Sequence, residues 1–94
     1  MSGFSARVEQ QDGTTTVFLQ GELDMATVPQ LERELEGVNG AVIFDCTELS
    51  FVDSSGLAVF SRVDRNGGTT LRNVKDNVQR VVEVVGLDHL LAAT

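Results

Sequence analysis

The sequence predicts an α/β fold: a single mixed, mostly parallel β-sheet with packed helices, opened by an antiparallel hairpin. Three observations carry this. Short apolar or β-branched runs alternate with segments whose apolar residues recur at helical spacing, as in strands joined by crossover helices. Asp12-Gly13 stands between two strand-like runs, as in a two-residue hairpin. Glycine and asparagine stop each helical stretch. The expected order is β-β-α-β-α-β-α with a short tail.

The first two strands are Ser5–Gln11 and Thr14–Gln20, the second rich in β-branched residues (Thr14-Thr15-Thr16-Val17). Gly21-Glu22-Leu23-Asp24 then leaves the sheet. From Thr27 to Val38 the period changes, and Val28, Leu31, Leu35 and Val38 share one helical face. Thr27 or Asp24 suits its cap, and Pro29 its first turn. Ala41-Val42-Ile43-Phe44 is a continuous apolar run, as in a strand central in a sheet or covered on both faces, with Cys46 at its end. A second helix begins near Ser54 and runs through Leu57, Phe60 and Val63 to Asn66-Gly67-Gly68. Thr69–Val74 reads as a further strand. Val78, Val81, Val82 and Val85 form the stripe of a third helix, which Gly86 ends.

A chain of 94 residues, 41% of them hydrophobic, has room for one core, so a single domain over 1–94 is expected. Its net charge of −7 argues against nucleic acid and against anionic membrane surfaces. No apolar run reaches membrane-spanning length, and Met1-Ser2-Gly3-Phe4-Ser5-Ala6-Arg7 lacks the charged head and long apolar stretch of a secretion signal. The expected location is cytoplasmic, with a monomer as the default state. Cys46 is the one cysteine, so no internal disulfide forms, and a packed thiol is the expectation. His89 is the one histidine, which excludes a histidine-rich metal site and leaves no other imidazole to activate a nucleophile.

The most informative segment is Leu49-Ser50-Phe51-Val52-Asp53-Ser54-Ser55-Gly56-Leu57. An apolar stretch ends in Asp-Ser-Ser-Gly where a helix begins, so two hydroxyls meet the exposed N–H groups of a helix N-terminus. A serine there serves as a cap, a nucleophile or a phosphate acceptor. The nucleophile is disfavoured: no Gly-x-Ser-x-Gly elbow is present, and Ser55 is followed three residues later by Ala58 rather than by a lysine. Intrinsic catalysis is not expected. Gly56 leaves the backbone accessible, and Leu57 reads as core.

Gly21-Glu22-Leu23-Asp24 after a second strand, Ser50–Leu57 after a third, then Gly67-Gly68 and a valine-rich helix ending in Gly86-Leu87 form a series in fixed order. This series resembles the STAS domain family, and within it the bacterial anti-sigma factor antagonists, over nearly the whole chain. The resemblance implies a STAS fold and a partner that is an anti-sigma factor serine kinase, related to the histidine-kinase ATPase fold. ATP and Mg²⁺ belong to that partner, and no cofactor belongs to this chain. The unphosphorylated antagonist binds the kinase and frees a sigma factor. Phosphorylation breaks the interaction, and a phosphoserine phosphatase restores it. The resemblance maps the phosphoacceptor onto Ser55 and the binding surface onto Asp24, Met25, Thr27, Asp53, Ser54, Ser55, Gly56 and Leu57. It leaves Ser54 as a helix cap. The competing expectation is a STAS scaffold without a phosphorylation switch, as in stress-signalling assemblies or the small subunits of lipid-transport complexes.

Overall fold

The computed structural model describes residues 3–92. Met1 and Ser2, at the head of the N-terminal stretch read above, and residues 93–94 lie outside the described residues. Strand β1 (Phe4–Gln11) pairs antiparallel with β2 (Thr14–Leu23), which runs parallel to β3 (Val42–Val52), and β3 runs parallel to β4 (Thr69–Arg72). Spatial and sequence orders coincide, β1-β2-β3-β4. Helices α1 (Val28–Glu34), α2 (Ser54–Arg65) and α3 (Asp76–Val84) follow β2, β3 and β4. The tail forms a 3-10 turn over Asp88–Leu90 and a single parallel bridge from Leu91 to Leu71.

The opening hairpin follows from its turn. Asp12 and Gly13 both take positive φ, 54° and 80°, which a two-residue turn between twisted strands requires. The helices pack on one side of the sheet. Leu31, Leu57, Phe60, Val78 and Val82 share one core with Val17, Leu19, Val42, Phe44, Cys46 and Leu71. Phe60 meets Phe44 with ring centroids 4.9 Å apart. Strand β3 is therefore central but not covered on both faces: Val42 and Phe44 are buried, while Ile43 is only half-buried.

The uncovered face carries one cross-strand row. The register aligns Arg7, Phe18, Asp45 and Arg72 across the four strands. Arg7 lies 4.5 Å over the Phe18 ring. Asp45 accepts from the Thr47 backbone N–H at 3.0 Å and hydroxyl at 2.7 Å, from Arg72 at 3.0 and 3.1 Å, and from Asn73 at 3.2 Å. Burial pushes the Asp45 carboxyl up, but these hydrogen bonds together outweigh it and hold the group below its ordinary value.

Several boundaries differ from the sequence expectation. Strand β2 does not leave the sheet after Gln20 but runs on through Gly21 and Glu22 to Leu23, because β3 extends far enough to pair with it. Strand β4 ends at Arg72 rather than Val74, where Asn73 turns the chain at φ 59°. Helix α1 closes at Glu34 rather than Val38, because the chain turns through Leu35–Val38 with Gly37 at φ 79°. Leu35 and Val38 still pack on the core. Val85 is exposed, since it is the C-cap of α3 rather than part of the buried stripe. The largest difference is β3, which continues past Cys46 to Val52. It takes ten steps from Val42 to Val52 where β2 takes eight from Thr15 to Leu23, so two extra residues are absorbed at bulges. The two bulges restore each other's parity. Cys46 itself is fully buried, and burial pushes its thiol up to about 12, as a packed thiol should behave.

Because the Asp45 pKa is depressed on folding, its contribution to stability is complete above about pH 4, the unfolded value, and is lost as pH falls through the lower folded value. Asp45→Asn should cost about 1–2 kcal/mol at neutral pH. Urea titrations across pH should show the gap to wild type narrowing below about pH 4.

Candidate functional site

The site grows from the end of the β2–β3 pairing. Their last paired residues are Leu23 and Val52, and adjacent strands lie about 4.8 Å apart. Asp24 and Asp53, the next residues of each strand, therefore leave the sheet side by side. The Asp53 backbone N–H donates to the Leu23 carbonyl at 3.1 Å and fixes this junction. Loops at the carboxyl ends of neighbouring parallel strands are where open α/β sheets present their sites.

The loop after β2 is built by Asp24 and Thr27. One Asp24 carboxylate oxygen accepts from the backbone N–H groups of Ala26 at 3.0 Å and Thr27 at 3.1 Å. The Thr27 hydroxyl donates to the Glu22 carbonyl at 2.8 Å and accepts from the Asp24 N–H at 2.9 Å. Thr27 occupies the N-cap position of α1, but its hydroxyl serves the loop instead of the helix. The loop projects Met25, which is 78% exposed. Asp24 and Thr27 thus give this surface its shape, and Met25 its apolar point.

The turn after β3 is built by Asp53, which caps α2. A single carboxylate oxygen accepts from the Ser55 N–H at 2.9 Å, the Gly56 N–H at 3.2 Å and the Ser55 hydroxyl at 2.5 Å. This corrects the expectation that Ser54 is the cap: Ser54 is the first helical residue and is exposed, while Asp53 takes the capping bonds. The Ser55 hydroxyl, with help from the backbone N–H groups of Gly56, Ser55 and Met25, holds the Asp53 carboxyl below its ordinary value against the opposing effect of burial.

Gly56 has a different role from the open backbone expected of it. It is buried, and a Cβ there would stand 2.6 Å from Val52 Cγ2 and 2.8 Å from Leu23 Cγ. The motif needs glycine so that the first turn of α2 can sit directly on the ends of β2 and β3. Leu57 is 4% exposed. Both residues, expected on the binding surface, support it from beneath.

Sequence reading missed Phe51, which is 44% exposed beside these residues. The second bulge lies here: Gly21 pairs with Leu49 and Glu22 with Phe51, leaving Ser50 as the extra residue. The Ser50 hydroxyl donates to the Gly21 carbonyl at 3.1 Å, and Asn77 donates to the Ser50 carbonyl at 2.8 Å. Strict alternation from Leu49 would have pointed to an inward Phe51. The signal available in sequence was Gly21, whose φ of 99° accompanies the irregularity.

His89 does not serve Ser55. It lies 3.6 Å from Asp64, nine residues along α2 from Ser55, or roughly 13 Å of helix. A recess of about 180 Å³ lined by Leu35, Val38, Val42 and Val63 lies at the opposite ends of β3 and α2 from the serine. The Ser55 region is a surface on which Met25, Phe51 and Ser54 are exposed and one half-buried hydroxyl is oriented.

A strand-end surface of this kind, on a sheet with its helices on one side, belongs to the STAS domains. The family model described as "Mlab, STAS domain" matches residues 6–92, and the chain is a member of that family. Within it, the chain is similar to the anti-sigma-B factor antagonists of Listeria monocytogenes and Listeria innocua. Each is 33% identical over 84 residues, covering 80% of this chain and 74% of the relative. The fold also matches solved structures. The unphosphorylated anti-sigma factor antagonist SpoIIAA has a TM-score of 0.82 at 28% identity, over 96% of this chain and 89% of that one. An antagonist from Mycobacterium paratuberculosis has 0.84 at 26%, over 98% and 87%. The phosphorylated form of Bacillus SpoIIAA has 0.73 at 27%, over 96% and 92%.

Gly56→Ala tests the close approach. Alanine favours a helix over glycine by up to about 1 kcal/mol, but overpacking a core contact costs about 1–3 kcal/mol. The variant should be less stable than wild type by up to about 2 kcal/mol in urea unfolding. A variant as stable as wild type would mean that Leu23 and Val52 yield freely.

Proposed function

We propose that this chain is an anti-sigma factor antagonist switched by phosphorylation of Ser55. The unmodified form binds an anti-sigma factor serine kinase in the cytoplasm and so releases a sigma factor. The observation that carries this reading is the hydroxyl of Ser55, oriented at the N-terminus of α2 and flanked by exposed Met25 and Phe51. Similarity to relatives and solved structures named as antagonists supports the reading. Asp24, Met25, Thr27, Asp53, Ser54 and Ser55 form the partner-binding surface, with Gly56 and Leu57 beneath it. ATP and Mg²⁺ are the partner's, the chain acts as substrate and ligand rather than as enzyme, and a phosphoserine phosphatase reverses the modification.

The physical basis of the switch is local. Phosphorylation adds about −1.5 to −2 charges and three strong acceptor oxygens. At Ser55 this dianion stands against the ionised Asp53 carboxylate, on a chain that already carries a net charge of −7. A partner surface matched to a neutral hydroxyl beside one carboxylate then meets like charge and unpaired oxygens on docking. The fold has no need to rearrange, because the positive end of α2 tolerates an anion.

Capture from the native cytosol with Ser55→Ala as bait tests this. The expected partner is a kinase-type anti-sigma factor, which should phosphorylate the wild-type protein on Ser55 with ATP and Mg²⁺, as read by peptide mass spectrometry. A stable partner complex that leaves Ser55 unmodified would instead identify a constitutive STAS scaffold.

A further inference from the structure

The two adjacent serines differ in a way that exposure alone does not predict. Ser54 is the more exposed, while Ser55 is half-buried. Only Ser55 has its hydroxyl drawn into the Asp53 hydrogen-bond set, at 2.5 Å from the carboxylate oxygen. We propose that Asp53 is the positioning residue that makes Ser55, and not Ser54, the phosphoryl acceptor. This inference rests on the reading of Ser55 as the site of modification.

The geometry supports it in three steps. First, the carboxylate is immobile. Its backbone N–H is bound to Leu23, and its oxygen also holds the amides of Ser55 and Gly56. Second, an ionised carboxylate only accepts, so the Ser55 hydroxyl must donate toward it. A charge-assisted hydrogen bond of this type is roughly twice as strong as a neutral one. The proton is thereby turned into the cap, and the two lone pairs of Oγ are left for an incoming phosphorus. Third, Ser54 at the first helical position lies outside this hydrogen-bond set, so its hydroxyl is not held in that way. Holding an acceptor in one attack geometry is worth much in rate, and a displacement of about 1 Å costs about a hundredfold.

In the transfer, Ser55 Oγ bonds to the γ-phosphorus of ATP and the bond from that phosphorus to the β,γ-bridging oxygen breaks. ADP leaves with that electron pair, and the hydroxyl proton passes to the Asp53 carboxylate it already faces and then to water. Phosphoryl transfer has a loose transition state with little bond formation to the acceptor, so a weakly basic carboxylate suffices. The chief contribution of Asp53 is orientation.

The test uses Asp53→Asn, since asparagine caps helices as well as aspartate does, while its neutral oxygen holds the hydroxyl less firmly. Two readouts are taken. The Hα–Hβ couplings of Ser55 by NMR should report one staggered rotamer in wild type and averaging in the variant. With the captured kinase and ATP, kcat should fall about 10- to 100-fold, with a growing share of phosphate on Ser54. A variant with wild-type kcat and phosphate confined to Ser55 overturns the proposal alone, as do averaged Ser55 couplings in wild type. A wild-type protein that accepts no phosphate overturns the proposal together with the reading it rests on.

Discussion

The parallel pairing that ends at Leu23 and Val52 is the constraint on which the site depends. Everything beyond it is placed by that register. Asp24 and Asp53 leave adjacent strands together, the Asp53 amide ties back to Leu23, and Gly56 brings the first turn of α2 down onto both strand ends. A slip of one residue in either strand would exchange buried and exposed positions and part the two loops. The bulges in β3 are therefore a condition for the site: they add two residues without changing the face that Val52 presents.

Two aspartates show how the same side chain is put to different uses. Asp45 is buried in the uncovered sheet face, where Thr47, Arg72 and Asn73 consume its hydrogen-bonding capacity and clamp β3 to β4. Asp53 stands at the surface, and its partners are two helix amides and one hydroxyl that chemistry can alter. Both carboxyls are held below their ordinary value. In the first, a fixed set of donors gives stability. In the second, the proposed phosphorylation would exchange one donor for a dianion, and the carboxylate that accepts from the hydroxyl would become the nearest like charge to the phosphate.

Much of this was legible in the sequence, because it is written in local chemistry. Asp12-Gly13 dictates its turn, the helical stripes dictate the inward faces of α1, α2 and α3, and the alternation of elements dictates the parallel sheet. The strand of Asp45 was legible only to Cys46, since its bulges break the alternation on which strand reading relies. The sequence suggests an open backbone at Gly56, because a close approach between a helix and two strand ends is a tertiary fact. The sequence favours Ser54 as the cap, although aspartate competes equally for that position and only backbone geometry places the helix start at one residue rather than its neighbour. The exposure of Phe51 is not legible in the sequence, because a bulge decides which way it faces. Asp53, Ser54 and Ser55 lie beside Asp24, which the strand register places, and Met25, which the Asp24–Thr27 loop projects, while Gly56 and Leu57 lie beneath.

The central claim is that a phosphate on Ser55 acts at the docking surface. The most direct measurement is a calorimetric titration of the captured anti-sigma factor with two forms of this chain, unmodified and phosphorylated at Ser55, the latter assembled by ligation at Cys46. The account predicts that the unmodified form binds and that the phosphorylated form, with an unchanged far-ultraviolet circular dichroism spectrum and unfolding midpoint close to wild type, binds at least about a hundredfold more weakly, a difference of about 2.7 kcal/mol. Equal affinity of the two forms would contradict it.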